Sequence, residues 1–170
     1  IVSPQSLVHV SNALGKSAAF LNHSATATDP ARLALVPLAL ARLASSDAAE
    51  AAAQMQGKWT QKLSAQDRDF VWGAIGRWAG IRLAPEAGTY FANVKDDRNL
   101  IDEQQHWKVR AALRSGQWPV VAKTIDAMSV DDQQSPTWTY WRARALQAGG
   151  GADNEALARQ AGANTVINPA

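Results

Sequence analysis

The chain contains no cysteine, which excludes disulfides, thiol catalysis and zinc sites built on thiolates. The same absence leaves the compartment open, because a cysteine-free chain suits the cytosol and the periplasm equally. Charge is sparse as well. Charged residues make up 19% of the chain, and seventeen Lys and Arg against fifteen Asp and Glu leave a formal net charge of +2. That excess is too small to argue for nucleic acid. No run approaches the roughly 18 apolar residues that a membrane helix needs, so no integral membrane segment is expected. Residues 1–10 lack a basic region followed by an apolar stretch, so the chain reads as soluble sequence, the mature or trimmed form of something longer. The three histidines, His9, His23 and His106, stand on different segments without the i, i+4 spacing of a helical metal site. Neither a metal nor a cofactor is expected. Strand signals are missing too: apolar and polar residues nowhere alternate over five positions between hairpin turns.

What is present is helical. Hydrophobic residues make up 46% of the chain, and frequent alanines leave long windows with nothing that disfavours a helix. Residues 3–21 place Leu7, Val10, Leu14, Ala18 and Leu21 at spacings of three and four, which predicts one helix with these on its apolar face. The polar stretch 23–30, HSATATDP, is a linker ending in a cap, Asp29, with Pro30 at the first helical position. Residues 30–44 are nearly continuously apolar, and Pro37 predicts a kink or a break. Further helices are expected from the Ser46-Asp47 cap to Met55, stopped by Gly57, and from the cap at 64–67 to about Leu83. Others should start at Pro85 and run over 102–115, 118–128 and 136–148, with an eighth from Asp153 to Gln160.

An internal repeat underlies these helices. Trp72, Trp107 and Trp141 lie 35 and 34 residues apart, and the residues 107–111 (WKVRA) match 141–145 (WRARA). A period near 34 with two helices per period is that of tetratricopeptide-like solenoids. The glycine and tyrosine expected after the tryptophan are missing, so the repeats are degenerate. The expected fold is all-α, a right-handed superhelix of stacked helical hairpins. Residues 1–29 would form an N-terminal helix and linker, 30–148 the superhelix, and 149–170 the start of a further hairpin or a truncated tail. The seven tryptophans are expected to be core knobs between layers, and exposed indole faces would instead suggest sugar stacking.

The carboxylates read as helix furniture. Asp102 with Glu103 and Asp131 with Asp132 fall in first turns, where negative charge favours the helix dipole. The arginines carry more information. Arg110 and Arg114 are one turn apart on a helix, and the repeat makes Arg144 equivalent to Arg110. Arg110, Arg114 and Arg144 are therefore candidate substrate-binding residues, a basic strip for an anionic ligand. The alternative is that they and Arg142 form inter-repeat ion pairs with Asp102, Asp126 and Asp131.

The string WKVRAALRSGQW at 107–118, continuing through Val121, Ile125, Asp126 and Met128 to WTYWRARAL at 138–146, resembles the helical region of soluble lytic murein transglycosylases. Leu40 to Ala44, the segment 59–63 and Trp72-Gly73 extend the resemblance over about 30–146. In that family an α-superhelical region forms a ring or arc, and a separate lysozyme-like domain cleaves peptidoglycan. The resemblance implies that this chain is the superhelical part, periplasmic, with peptidoglycan glycan strands and the lysozyme-like domain of the same longer chain as partners. The family cleaves between N-acetylmuramic acid and N-acetylglucosamine with a glutamate that precedes a serine. Here Glu50, Glu86, Glu103 and Glu155 precede Ala, Ala, Gln and Ala, and the Gly-Leu-Met-Gln and Ala-Tyr-Asn strings are absent. No catalytic residue is carried over, and the chain alone is expected to be inactive. A tetratricopeptide-like adaptor that binds a partner peptide is the rival reading.

Overall fold

The computed structural model describes residues 4–149 and Arg159, and every regular element among them is helical. The chain is an all-α stack of helical hairpins. The eighth helix expected at 153–160 and most of the 149–170 segment lie outside the described residues.

At the N-terminus the single expected helix is two, α1 (Pro4–Gly15) and α2 (Ser17–Ser24), because Lys16 leaves the helical basin at φ −135°, ψ 54°. The break follows Gly15, the residue type that stabilises a helix interior least after proline. It also turns the buried face: Ala13, Ser17, Phe20, Leu21 and Ser24 point inward, while Leu14 and Ala18 are exposed. Two serines tolerate burial because Ser17 Oγ donates to Ala13 O and Ser24 Oγ to Phe20 O, each at 2.7 Å.

The proline at 37 marks a break, as expected. A short α3 (Pro30–Leu33), capped by Asp29 accepting from Ala31 N, is followed by α4 (Val36–Ser46) with Pro37 in its first turn, where no donor is required. Asp47 caps α5 (Ala48–Gln54) by accepting from Glu50 N at 2.9 Å. Gly57 does not stop this helix. The chain continues through it as a π-helical turn, Met55–Trp59, closed by Thr60 donating from both its N and Oγ1 to Met55 O. The wider turn brings Met55 and Trp59 nearly onto one face, and both are almost completely buried.

Ser64 caps α6 (Ala65–Ile81). The next helix, α7 (Ala87–Phe91), starts two residues later than Pro85 suggests and is a single short turn and a half. A 3-10 turn at Asp97–Asn99 leads into α8 (Asp102–Arg114), α9 (Trp118–Asp126), an unanticipated α10 (Val130–Gln134) capped by Ser129, and α11 (Pro136–Gly149). The ends of α6 and α8 repeat each other. Ala84 N donates to Ala79 O and Gln117 N to Ala112 O, with a left-handed residue just before each donor, Leu83 at φ 58° and Gly116 at φ 67°. Glycine occupies that conformation without strain and leucine does not.

Helices α4, α6 and α8 pack in succession, α7 and α9 return against α6 and α8, and α11 lies on α9. Close approach is made by glycines on α6. A Cβ at Gly73 would sit 2.5 Å from Leu100 and one at Gly76 2.7 Å from the Phe91 ring. The apolar core is in two parts, one from Ala13 to Leu100 and a smaller one from Val109 to Ala145. Trp59, Trp72 and Trp138 are buried, and the other four tryptophans are half-buried. The three repeat tryptophans are not equivalent, since Trp72 is buried while Trp107 and Trp141 are half-covered and Trp138 takes the interior place in the last unit.

Candidate functional site

Between the two cores runs a chain of buried polar groups that sets the position of the loop between α7 and α8. Asp69, on the second turn of α6, is 2% exposed and accepts from Lys95 N at 2.8 Å, Asp96 N at 3.1 Å and Asn99 Nδ2 at 2.8 Å. The loop held in this way turns Asp97 inward. Its carboxylate accepts from Lys108 Nζ at 2.6 Å and Thr124 Oγ1 at 2.8 Å, and its backbone oxygen accepts from Gln105 Nε2 at 2.8 Å. One acidic loop residue therefore ties α8 to α9. With both charges of the Asp97–Lys108 pair nearly out of water, each depends on the other for its solvation.

The outer side of the same loop borders a cleft of about 670 Å³. Its walls are the π-helical turn, the segment that follows it, the first turns of α6 and the residues after α7. Four cations stand around it: Lys58, Lys62, Arg68 and Lys95. They come from separate segments, so no local charge run betrays them in the sequence. Lys58 Nζ donates to Asn22 Oδ1 at 3.3 Å, Lys62 Nζ to Ala25 O at 2.5 Å, and Arg68 Nη1 to Thr60 O at 2.9 Å. Lys62 also stands over the Trp59 ring, 5.4 Å from its centroid. Asp69 is the one carboxylate lining the cleft, and its oxygens are already engaged by the loop. Trp72 forms part of the floor but is 4% exposed, stacked on Tyr90 with ring centroids 6.3 Å apart. Burial, followed by the charges of Glu86 and Asp47, pushes the Tyr90 phenol up, so it stays neutral.

On the loop itself, Asp96 makes two hydrogen bonds to the Arg98 side chain and accepts a third from Arg98 N. These hold the Asp96 carboxyl down to about 2 and raise Arg98 in turn.

The arginine strip expected from the repeat is more dispersed. Arg110 is exposed but lies against two indoles, its guanidinium carbon 5.1 Å from the Trp107 centroid and 5.7 Å from that of Trp138. Arg114, one turn on, reaches toward Leu83 O at 3.5 Å, and Arg144 is exposed on α11. No described contact joins these three. Of the ion pairs weighed as the alternative, Arg142 Nε to Asp126 Oδ1 forms at 2.5 Å, while Asp102 and Asp131 form none among the described residues. Arg77 pairs with Glu103 instead, also at 2.5 Å.

The remaining acidic and histidine side chains have structural partners or lie at the surface. Glu50 is exposed and accepts from Gln54 Nε2 at 2.9 Å, and Glu86 is exposed ahead of α7. Glu155 lies outside the described residues. His106 Nε2 is 2.8 Å from Asp132 Oδ2, with its ring against Trp138. Among the described residues no three of His, Asp and Glu converge as a metal would require. No helix there is long and apolar enough to cross a membrane.

No protein-family model and no curated protein matches the sequence. The fold does match solved structures. It is similar to the X-ray structure of an inactive mutant of the lytic transglycosylase Slt from Pseudomonas aeruginosa, with a TM-score of 0.59 and 20% sequence identity over 90% of this chain. The chain spans 28% of the length of that structure.

Proposed function

We propose that the chain is a non-catalytic superhelical segment of a periplasmic lytic transglycosylase, one that holds a peptidoglycan glycan strand and positions a lysozyme-like catalytic domain of the same longer chain. The observation that carries this reading is the correspondence of 90% of the chain with about a quarter of the Slt structure, as expected if it were one part of a larger assembly. The resemblance of 107–118 and 138–146 to the helical region of the same family points the same way. In this reading 30–148 is the superhelix and the residues before it are its N-terminal approach.

The absence of chemistry follows from the glutamates. Glycoside cleavage needs a carboxylic acid whose pKa is raised by an enclosing, dry site, so that it is still protonated at the working pH. Glu50, Glu86 and Glu103 all lie exposed at helix starts, and none lines the cleft. The chain binds and positions; another domain cuts.

Incubation of the chain with purified sacculi tests this directly. The chain is expected to sediment with sacculi at low salt, to be released as ionic strength rises, and to liberate no anhydro-muropeptides detectable by mass spectrometry. Release of such fragments, lost on Glu50→Gln or Glu86→Gln substitution, would falsify the non-catalytic assignment. Failure to sediment at any salt would favour a tetratricopeptide-like adaptor for a protein partner.

A further inference from the structure

We infer that the cleft bordered by Lys58, Lys62, Arg68 and Lys95 is a binding site for a ligand carrying several carboxylates. On a peptidoglycan strand the part that enters it is the peptide arm and not the sugar ring; this second step rests on the function proposed above.

The charge balance is the first argument. Four cations surround one concavity whose single carboxylate, Asp69, is 2% exposed and already accepts three hydrogen bonds. Three of these cations are held by neutral acceptors alone, and no ion pair to Lys95 exists among the described residues. Elsewhere Arg77, Arg98, Lys108 and Arg142 are each paired with a carboxylate, while Arg32, Arg42, Arg82 and Arg114 also rest on neutral oxygens, so what sets the four apart is that they border one concavity. A concave wall lined by one sign of charge concentrates the field and attracts anions.

Size and shape select among anions. At about 670 Å³ the cleft is in the range of sites that hold a peptide-sized molecule, far more than one phosphate fills. Its cations stand on the π-helical turn, the segment after it, α6 and the loop before α8, so a ligand engaging all of them must present charge at more than one point. A short peptide with acidic side chains and a free C-terminus does so. A neutral sugar ring does not, and it would find no platform here, since Trp59 and Trp72 are 1% and 4% exposed.

The buried network gives the site its rigidity. Lys95 is placed by its backbone N–H to Asp69, and the same loop is fixed from behind by Asp97 on Lys108 and Thr124. A preorganised cation loses less freedom on binding than one on a loose loop.

Isothermal titration of the 170-residue chain at low salt, with three probes, tests the inference. The probes are the tetrapeptide Ala-γGlu-diaminopimelyl-Ala, a neutral chitin tetrasaccharide standing for the sugar backbone, and inorganic phosphate. The tetrapeptide is expected to bind, and the double substitution Lys62→Gln, Lys95→Gln to weaken it about tenfold, with the helical signal and unfolding midpoint unchanged. The chitin tetrasaccharide and millimolar phosphate are expected neither to bind nor to compete. Changing the exposed Lys16 and Arg42 to Gln, neither of which lines the cleft, should leave tetrapeptide affinity intact. The chitin tetrasaccharide binding as well as the tetrapeptide, indifferent to the Lys62, Lys95 change, would overturn the cleft assignment while leaving strand binding standing. Phosphate competing at the tetrapeptide's own affinity would reduce the cleft to a general anion site and also overturn it. Tetrapeptide binding to a chain that fails to sediment with sacculi would support the cleft and sink the transglycosylase reading; binding of no probe would sink the cleft.

Discussion

In the first half of the molecule Lys58, Lys62 and Arg68 rest on neutral oxygens at the border of an open cleft, whereas in the second half Lys108, Arg142 and Arg110 are taken up by Asp97, Asp126 and two indole rings. The reason lies in the two cores. The first is a broad apolar cluster from Ala13 to Leu100. The second is smaller and is joined to the first through Asp69 and Asp97. Charged side chains are built in beside the smaller core at Asp97 and Lys108, and the cleft's cations stand outside the broad one.

The largest effect expected from this contrast is at Asp97. Replacing it with alanine strands the Lys108 ammonium in the interior, which should cost about 3–5 kcal/mol. Denaturant unfolding of Asp97→Ala measures it, and a loss as small as that of a surface change would mean that Lys108 is solvated by something else. Replacing Asp97 and Lys108 together by apolar residues should be milder than either single change.

Next come the repeat tryptophans. Trp72→Ala in the first core should cost about 3–5 kcal/mol, while Trp107→Ala, half-covered and lying over Gly80, should cost about 2 kcal/mol. Equal losses in urea titrations would show that the half-covered Trp107 contributes as much packing as the buried Trp72.

The smallest effect is acidic and local. Asp96 has its carboxyl lowered to about 2 in the fold, so it contributes stability above its ordinary value of 3.8 and loses that contribution as pH falls through about 2. Thermal midpoints of the wild type and Asp96→Ala should therefore differ above pH 4 and converge toward pH 2. A difference that persists at pH 2 would exclude the charged Asp96–Arg98 contact as its cause. Because Asp96 is exposed, the shift should be small.

Much of the stack was legible. Caps at Asp29, Asp47 and Ser64 and the break near Pro37 follow from local chemistry that a sequence displays, and each is found. The misread elements share a cause. Gly57 was expected to stop a helix because glycine usually does, yet burying both Met55 and Trp59 favours a π turn through it. Leu14 was expected inside because it matched a period that Lys16 interrupts. The arginines of the repeat recur at a readable spacing, whereas the cleft's cations lie at 58, 62, 68 and 95 with no shared period.

The sequence by itself determined the fold class, since its alanines, caps and period of about 34 residues leave a solenoid of helical hairpins as the way to cover its apolar faces. It determined the lack of thiol chemistry and of the glutamate-serine pair in the same direct manner, through residues that are not there. Only the tertiary structure decided which cations meet. Lys95 reaches the cleft because Asp69, 26 positions earlier, captures its backbone N–H, and Asp97 turns inward because the same anchored loop points it at Lys108 and Thr124. Such long-range hydrogen bonds are made by groups that look polar and ordinary in the sequence, and their consequence, where charge gathers and where it is consumed, exists only once the helices have packed.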